Sequence, residues 1–374
     1  MSENQSRRSF LQNLGVGLGT TAAAFAVPSV MAIPEGKPQK DEKKLGVALL
    51  GLGSYAKNQL AVGLENAKNC YLAGIVTGTP AKAEEWSKKY NIPAKNVYNY
   101  QNFDEIANNK DIDIVYVVTP NSLHREFVVR AAKAGKHVMC EKPMATSVED
   151  SIAMIKACQE AGVQLGIGYR LHFEPFTQEV VRIGQKKVFG DVRFMQTNFG
   201  FTIGDPTQWR LKKAMAGGGP LMDVGIYCVQ ASRYVTGEEP LWVTAQYGET
   251  IDKVKFKDVE ETVSWQMQFP SGAMVNGFSS YRSNIEQLYV SAEKGFLQLS
   301  PAYSYGPIKG KTQEGDMKMP VVHHQTVMLE EVCKEFLATK KFPKHIDGEE
   351  GLRDMKILMA IYEAAQTGKR ISLV

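Results

Sequence analysis

The sequence predicts an α/β chain in two parts: a doubly wound parallel sheet, then an α+β domain built on a large, mostly antiparallel open sheet. Three observations carry this. Between residues 45 and 169, short runs that are apolar throughout alternate with stretches of helical spacing, the pattern of strands covered on both faces by helices. The turn after the first run reads Gly51-Leu52-Gly53-Ser54-Tyr55-Ala56. Beyond residue 170 the rhythm changes to a series of strand-like segments, two of them joined by the hairpin-like Pro270-Ser271-Gly272, which suggests a largely antiparallel sheet. The length of 374 residues also exceeds the ~150 of one domain. With 44% hydrophobic and 22% charged residues, the composition is that of a globular protein and excludes a disordered chain, a collagen-like fibre or a multi-span membrane protein. A net charge of +4, with dispersed basic residues, gives no ground for nucleic acid as a partner.

The first 32 residues are of a different kind. Arg7 and Arg8 precede a stretch, Ser9 to Ile33, that holds no charged residue, and Val30-Met31-Ala32 offers small residues near its end. This reads as a twin-arginine export signal, so the expected location is periplasmic, with no membrane attachment once the signal is cleaved. Residues 33–44, rich in Pro, Gly, Lys and Glu, read as an N-terminal arm. Cys70, Cys140, Cys158, Cys228 and Cys333 form no C-x-x-C pair and read as buried apolar residues, with a disulfide left open.

The nucleotide domain is expected over 45–170. Strands are predicted at Leu45–Leu50, 71–76, 112–118, His137–Cys140 and 164–169, with helices at 54–66, 81–90, 124–134 and 147–161. Because the glycine turn follows the first strand and opens the first helix, it reads as a dinucleotide-binding turn. Gly51 permits the tight turn, Gly53 lets a pyrophosphate approach the backbone, and Ser54 and Tyr55 begin the helix whose N-terminus faces the phosphates. The second strand ends Thr77-Gly78-Thr79-Pro80-Ala81-Lys82, and no carboxylate follows until Glu84. An acidic residue there would hold the ribose hydroxyls of NAD. Thr77 and Lys82 suit a 2′-phosphate, so NADP is expected, with NAD the lesser choice. The third strand ends at Thr119-Pro120-Asn121, at the sheet edge where ligands bind. His124 either starts the next helix or lines the nicotinamide pocket.

The second domain is expected over 171–374. Strands are predicted at 192–201, 241–249, 262–269, 273–280 and 286–292, with a hairpin turn at Pro270-Ser271-Gly272, and amphipathic helices at His324–Thr339 and 350–367. His323 and His324 lack acidic or cysteine companions at ligand spacing, so no metal site is expected.

Cys140-Glu141-Lys142-Pro143-Met144 carries an E-K-P motif, and Leu221-Met222-Asp223-Val224-Gly225-Ile226-Tyr227 a D-x-G-x-Y motif. With Pro120-Asn121-Ser122-Leu123-His124, Trp209-Arg210, Gly217-Gly218-Gly219 and Gly348-Glu349-Glu350-Gly351, the chain from residue 45 to about 370 resembles the glucose–fructose oxidoreductase and inositol dehydrogenase family. The resemblance implies a Rossmann domain followed by a domain whose open sheet packs on a partner subunit, giving a homodimer or homotetramer. It implies that Lys142 lies beside the nicotinamide, with Glu141 in the same site, and that Tyr227 transfers the proton. Asp223 would hold a sugar hydroxyl or orient those groups. Trp209 and Arg210 would frame sugar or cofactor, and Arg170, at the domain junction, would contact the ligand or tie the domains together.

The chemistry agrees with those residue types. Oxidising a sugar carbinol moves a hydride to nicotinamide and a proton to a base. A free tyrosine, with a pKa of ~10, is a poor base near neutrality, and an adjacent ammonium stabilises the phenolate and the charge developing on the reacting oxygen. The glucose–fructose branch oxidises an aldose to a lactone and reduces a ketose to an alditol on one retained cofactor, which suits an exported enzyme. A redox-assisted glycosidase and a non-catalytic sugar-binding protein are the alternative readings.

Overall fold

The computed structural model describes residues 44–374; the expected signal at 1–32 and all but the last residue of the 33–44 arm lie outside the described residues. The first layer is a six-stranded parallel sheet in the order β3-β2-β1-β4-β5-β6. Its strands are β1 (Leu45–Leu50), β2 (Cys70–Val76), β3 (Val97–Tyr98), β4 (Ile114–Val117), β5 (His137–Cys140) and β6 (Leu165–Ile167). Every residue of β1 and β4 is buried, because helices cover both faces. These are α1 (Ala61–Asn66), α2 (Pro80–Tyr90), α3 (His124–Lys133) and α4 (Val148–Glu160). A wider turn at Ala56–Leu60 leads into α1. The order reverses between the central strands β1 and β4, which run parallel and end side by side at Leu50 and Val117. A doubly wound sheet opens its ligand crevice at such a point.

The second layer follows α5 (Pro175–Gln185), and its first strand is β7 (Val192–Gly200). Short α6 (Lys213–Ala216) and α7 (Ile226–Thr236) come next, then β8 (Trp242–Tyr247), β9 (Thr262–Gln268), β10 (Met274–Ser280), β11 (Ile285–Ala292), β12 (Gly295–Leu299), β13 (Gly310–Thr312) and β14 (Gly315–Asp316). Helices α8 (His324–Thr339) and α9 (Gly348–Thr367) and edge strand β15 (Ile371–Ser372) finish the chain. The nine strands run β14-β13-β12-β11-β7-β10-β9-β8-β15. All pairs are antiparallel except β10 with β7, because the chain returns to β7 only after passing through α6, α7, β8 and β9. In β9, Val263, Trp265 and Met267 are buried while Ser264 and Gln266 are exposed. One face of the sheet therefore packs on helices and the other stays open, lined by Gln196, Gln266, Asn276 and Phe278 around a shallow cavity of about 690 Å³.

Two contacts set the helices. Arg233 of α7, only 4% exposed, binds Glu350 and Asp354 of α9 at 2.7 and 2.6 Å, and Glu239 closes the cluster at 2.7 Å. Helix α8 returns to the first domain. Glu330 accepts hydrogen bonds from the Lys68 and Asn69 amides at 2.6 and 3.0 Å and from Asn69 Nδ2 at 2.7 Å, so it fastens α8 to the turn between α1 and β2.

Candidate active site

The glycine turn fits a dinucleotide. Gly51 has φ +99°, and a Cβ there would lie 2.7 Å from the Val118 carbonyl oxygen; the position therefore demands glycine. A Cβ on Gly53 would meet nothing within 4 Å, which leaves the space a pyrophosphate needs. Gly53 and Ser54 are exposed. Lys82 reaches back from α2 to donate to the Leu52 carbonyl at 3.0 Å, which sets its ammonium at this turn. Thr77 is buried, and its hydroxyl accepts from the Thr79 amide at 3.2 Å.

The neighbouring strand ends supply the rest. Lys142 follows β5. Its ammonium donates to the Asp223 carbonyl oxygen at 2.8 Å and lies 3.6 Å from Asp223 Oδ1. It also stands 4.7 Å from the centroid of the Tyr227 ring. Residues Leu221–Gly225 form a wide turn that runs into α7, and from it Asp223 and Tyr227 both meet Lys142. Glu260 fixes the start of that turn: its carboxylate accepts from the Gly219 and Leu221 amides at 2.9 and 3.1 Å and from the Tyr362 hydroxyl at 2.8 Å.

Asp223 is the hub. Arg210 Nε and the Tyr281 hydroxyl both donate to its Oδ2, at 3.1 and 3.0 Å. Burial works to raise this carboxyl, but Arg210, Lys142 and Tyr281 outweigh it and hold it below the usual range. Asp223 thus stays a carboxylate and fixes Lys142. Arg210 also lies 4.6 Å over the Trp209 ring. Glu141 is buried beneath the site and accepts from Tyr116 at 2.7 Å. Burial pushes its carboxyl up, against the pull of Lys142 and Tyr116.

Three of the sequence-predicted residues turn out to hold the walls. His124 starts α3 and is fully buried; its Nδ1 lies 3.1 Å from the Pro143 carbonyl and its Nε2 3.0 Å from that of Thr119. It braces the loop after Lys142 from behind, and burial lowers its pKa. Asn121, beside Pro120, donates to the Ala216 carbonyl at 2.8 Å and so ties the loop after β4 to α6. Arg170, 2% exposed, donates to the Tyr303 and Ser304 carbonyls and meets His324 Nδ1 at 2.7 Å. Its guanidinium carbon lies over two rings, 5.0 Å from the centroid of Tyr227 and 4.6 Å from that of Tyr305.

Sequence reasoning missed Tyr116, Tyr281 and Tyr305. Tyr116 and Tyr281 sit beside no glycine or proline; for Tyr305 the aromatic run Tyr303-Ser304-Tyr305-Gly306 gave a local signal.

Comparison with known proteins places this geometry. Residues 45–169 match an oxidoreductase family with an NAD-binding Rossmann fold, and residues 177–298 match the GFO/IDH/MocA C-terminal domain. The crystal structure of an aldose–aldose oxidoreductase from Caulobacter crescentus, complexed with glycerol, is 43% identical with a TM-score of 0.86, covering 88% of this chain and all of that one. D-xylose 1-dehydrogenase [NADP(+)] of Haloarcula marismortui is 27% identical over 336 residues, 87% of this chain and 92% of that protein. An oxidoreductase from Agrobacterium radiobacter, in complex with NAD+, L-tartaric acid and magnesium, shares the fold at 18% identity and a TM-score of 0.74, over 88% of this chain and 98% of that one. With an ammonium, a phenol ring and a glycine turn gathered at the crevice, and both domains matched, the chain belongs to the GFO/IDH/MocA family of NAD(P)-dependent oxidoreductases.

Proposed function

We propose that the protein is a periplasmic sugar oxidoreductase that keeps NADP bound and shuttles a hydride between two sugars in a ping-pong cycle. The observation that carries this is the Lys142 ammonium over the Tyr227 ring, held by Asp223, beside a dinucleotide turn. When bound, the nicotinamide supplies the hydride acceptor and donor. Tyr227 takes the hydroxyl proton as the carbinol carbon loses its hydride and becomes a carbonyl, and returns a proton in the reverse half. Lys142 offsets the charge on the reacting oxygen. Asp223 keeps Lys142 in place, and its sugar-binding role is secondary. The names of the Caulobacter and Haloarcula relatives support an aldose as donor. Lys82 at the glycine turn, with no carboxylate at the end of β2, supports NADP over NAD.

The test is purification from the periplasmic fraction, followed by mass identification of the nucleotide released on denaturation. An aldose should raise the reduced-nicotinamide absorbance of the intact protein, and a second sugar, ketose or aldose, should bleach it with no nucleotide added. If no sugar moves the absorbance in either direction, the proposal fails.

The proposal extends to a homodimer or homotetramer assembled through the open sheet face. That face carries amides and an aromatic ring but no charge among Gln196, Gln266, Asn276 and Phe278, so a second copy meets it without desolvating ions. Light scattering should show an oligomer at micromolar concentration and a monomer for Phe278→Asp. A monomeric unmodified chain would remove this part of the proposal.

A further inference from the structure

We infer that Tyr305 is a clasp that closes the nucleotide crevice and slows dissociation of the dinucleotide; the inference deepens the retained-cofactor reading above and rests on it. The segment between β12 and β13 leaves the second domain and crosses to the first. Its backbone is pinned on two sides: the Glu286 carboxylate accepts from the Tyr303 and Ser304 amides, and Arg170 donates to the carbonyls of the same two residues. The next side chain, Tyr305, is therefore held out on a fixed base. Its ring reaches Tyr55 of the dinucleotide turn, with centroids 6.1 Å apart and planes at 36°. Its other neighbour is the Arg170 guanidinium, at 4.6 Å.

Tyr55 is itself tethered to the second domain, since Gln325 Nε2 donates to its hydroxyl at 3.3 Å. The Tyr305–Tyr55 contact thus joins the two lobes at the residue that follows Gly53 and Ser54. Unlike the buried rings of the core, Tyr305 remains 51% exposed. A large apolar ring left half in solvent, on an anchored backbone, over a turn built for phosphates, is placed to cover a ligand rather than to fill a core. A nucleotide leaving the turn must first part Tyr305 from Tyr55. An aromatic pair also contributes beyond its buried area.

The test compares the unmodified protein with Tyr305→Ala and Tyr305→Phe, each loaded with reduced NADP. Excess oxidised NADP is added, and release is followed by loss of nicotinamide fluorescence; this readout needs no turnover. Tyr305→Ala should release the nucleotide about tenfold faster, equivalent to about 1.4 kcal/mol, while Tyr305→Phe, which keeps the ring, should stay within about twofold of the unmodified protein. Equal release rates for the alanine variant and the unmodified protein, whether both slow or both fast, would overturn the clasp. Loss of retention in the phenylalanine variant would overturn the ring's part in it. If sugars fail to change the absorbance but Tyr305→Ala still releases faster, the proposed activity falls and the clasp stands.

Discussion

Replacing Tyr227 by phenylalanine should lower turnover with any sugar by roughly 10²–10⁴-fold, the contribution typical of a positioned proton-transfer group, and leave nucleotide binding intact. The substitution is a clean probe because the ring itself is structural. It packs 5.7 Å from Phe199 and 6.3 Å from Tyr303, centroid to centroid, and it lies under both Lys142 and Arg170. Phenylalanine keeps every one of those ring contacts and removes only the hydroxyl. Single-turnover reduction of bound nicotinamide by an aldose is the measurement. A rate within about threefold of the unmodified enzyme would mean that another group moves the proton.

The second large effect is on stability. Arg233→Met should cost about 3–5 kcal/mol, because breaking a buried ion pair leaves uncompensated charge behind. Here the residues left behind are Glu350 and Asp354, with side chains only 9% and 0% exposed. The cost should also depend on pH. In the native protein burial raises the Asp354 carboxyl from its ordinary 3.8 to about 6, even against the pull of Arg233. A raised carboxyl binds its proton more tightly when folded than when unfolded. Its contribution is therefore full in acid and is lost as pH rises from 3.8 toward about 6. Without Arg233 the folded group holds its proton more tightly still. The urea midpoint of Arg233→Met should thus fall furthest behind at neutral pH and recover part of the gap as the pH is lowered toward about 6, below which both folded proteins hold the proton and the gap stays constant. A deficit that is the same at every pH would show that the loss is one of packing alone.

How much of this was legible in the sequence varied with the kind of signal. The parallel layer was clear because its strands are buried on both faces and so read as unbroken apolar runs; β1 and β5 fall at their expected bounds. β3 was missed because two residues carry no period. Helix α5 was missed although its cues were present: Glu174 caps the Thr177 amide at 2.7 Å and Pro175 opens the first turn, with Phe176, Val180 and Ile183 on the buried side. The parallel pairing of β10 with β7 had no local signature, since alternation specifies which face is covered and not which strand lies alongside.

The site divided in the same way. Motifs disclosed Lys142, Asp223 and Tyr227 because each stands at a fixed offset from glycine or proline. The residues that complete the site come from distant segments of the fold. Tyr281 reaches Asp223 from the end of β10, and Tyr116 reaches Glu141 from β4. Arg170 could be read either way from its place at the junction, and the fold spends its donors on tying the second domain to the first.

The return of α8 to the turn between α1 and β2 bears on how such a protein can be rearranged. The segment that carries the glycine turn is not a cassette. Severed after residue 170, it would present to water the surface at Gly63 and Cys70 on which Leu329 of α8 rests, together with the Lys68 and Asn69 amides that Glu330 now satisfies. Any chimera that gives this nucleotide module a new second domain must carry residues 324–339 with it.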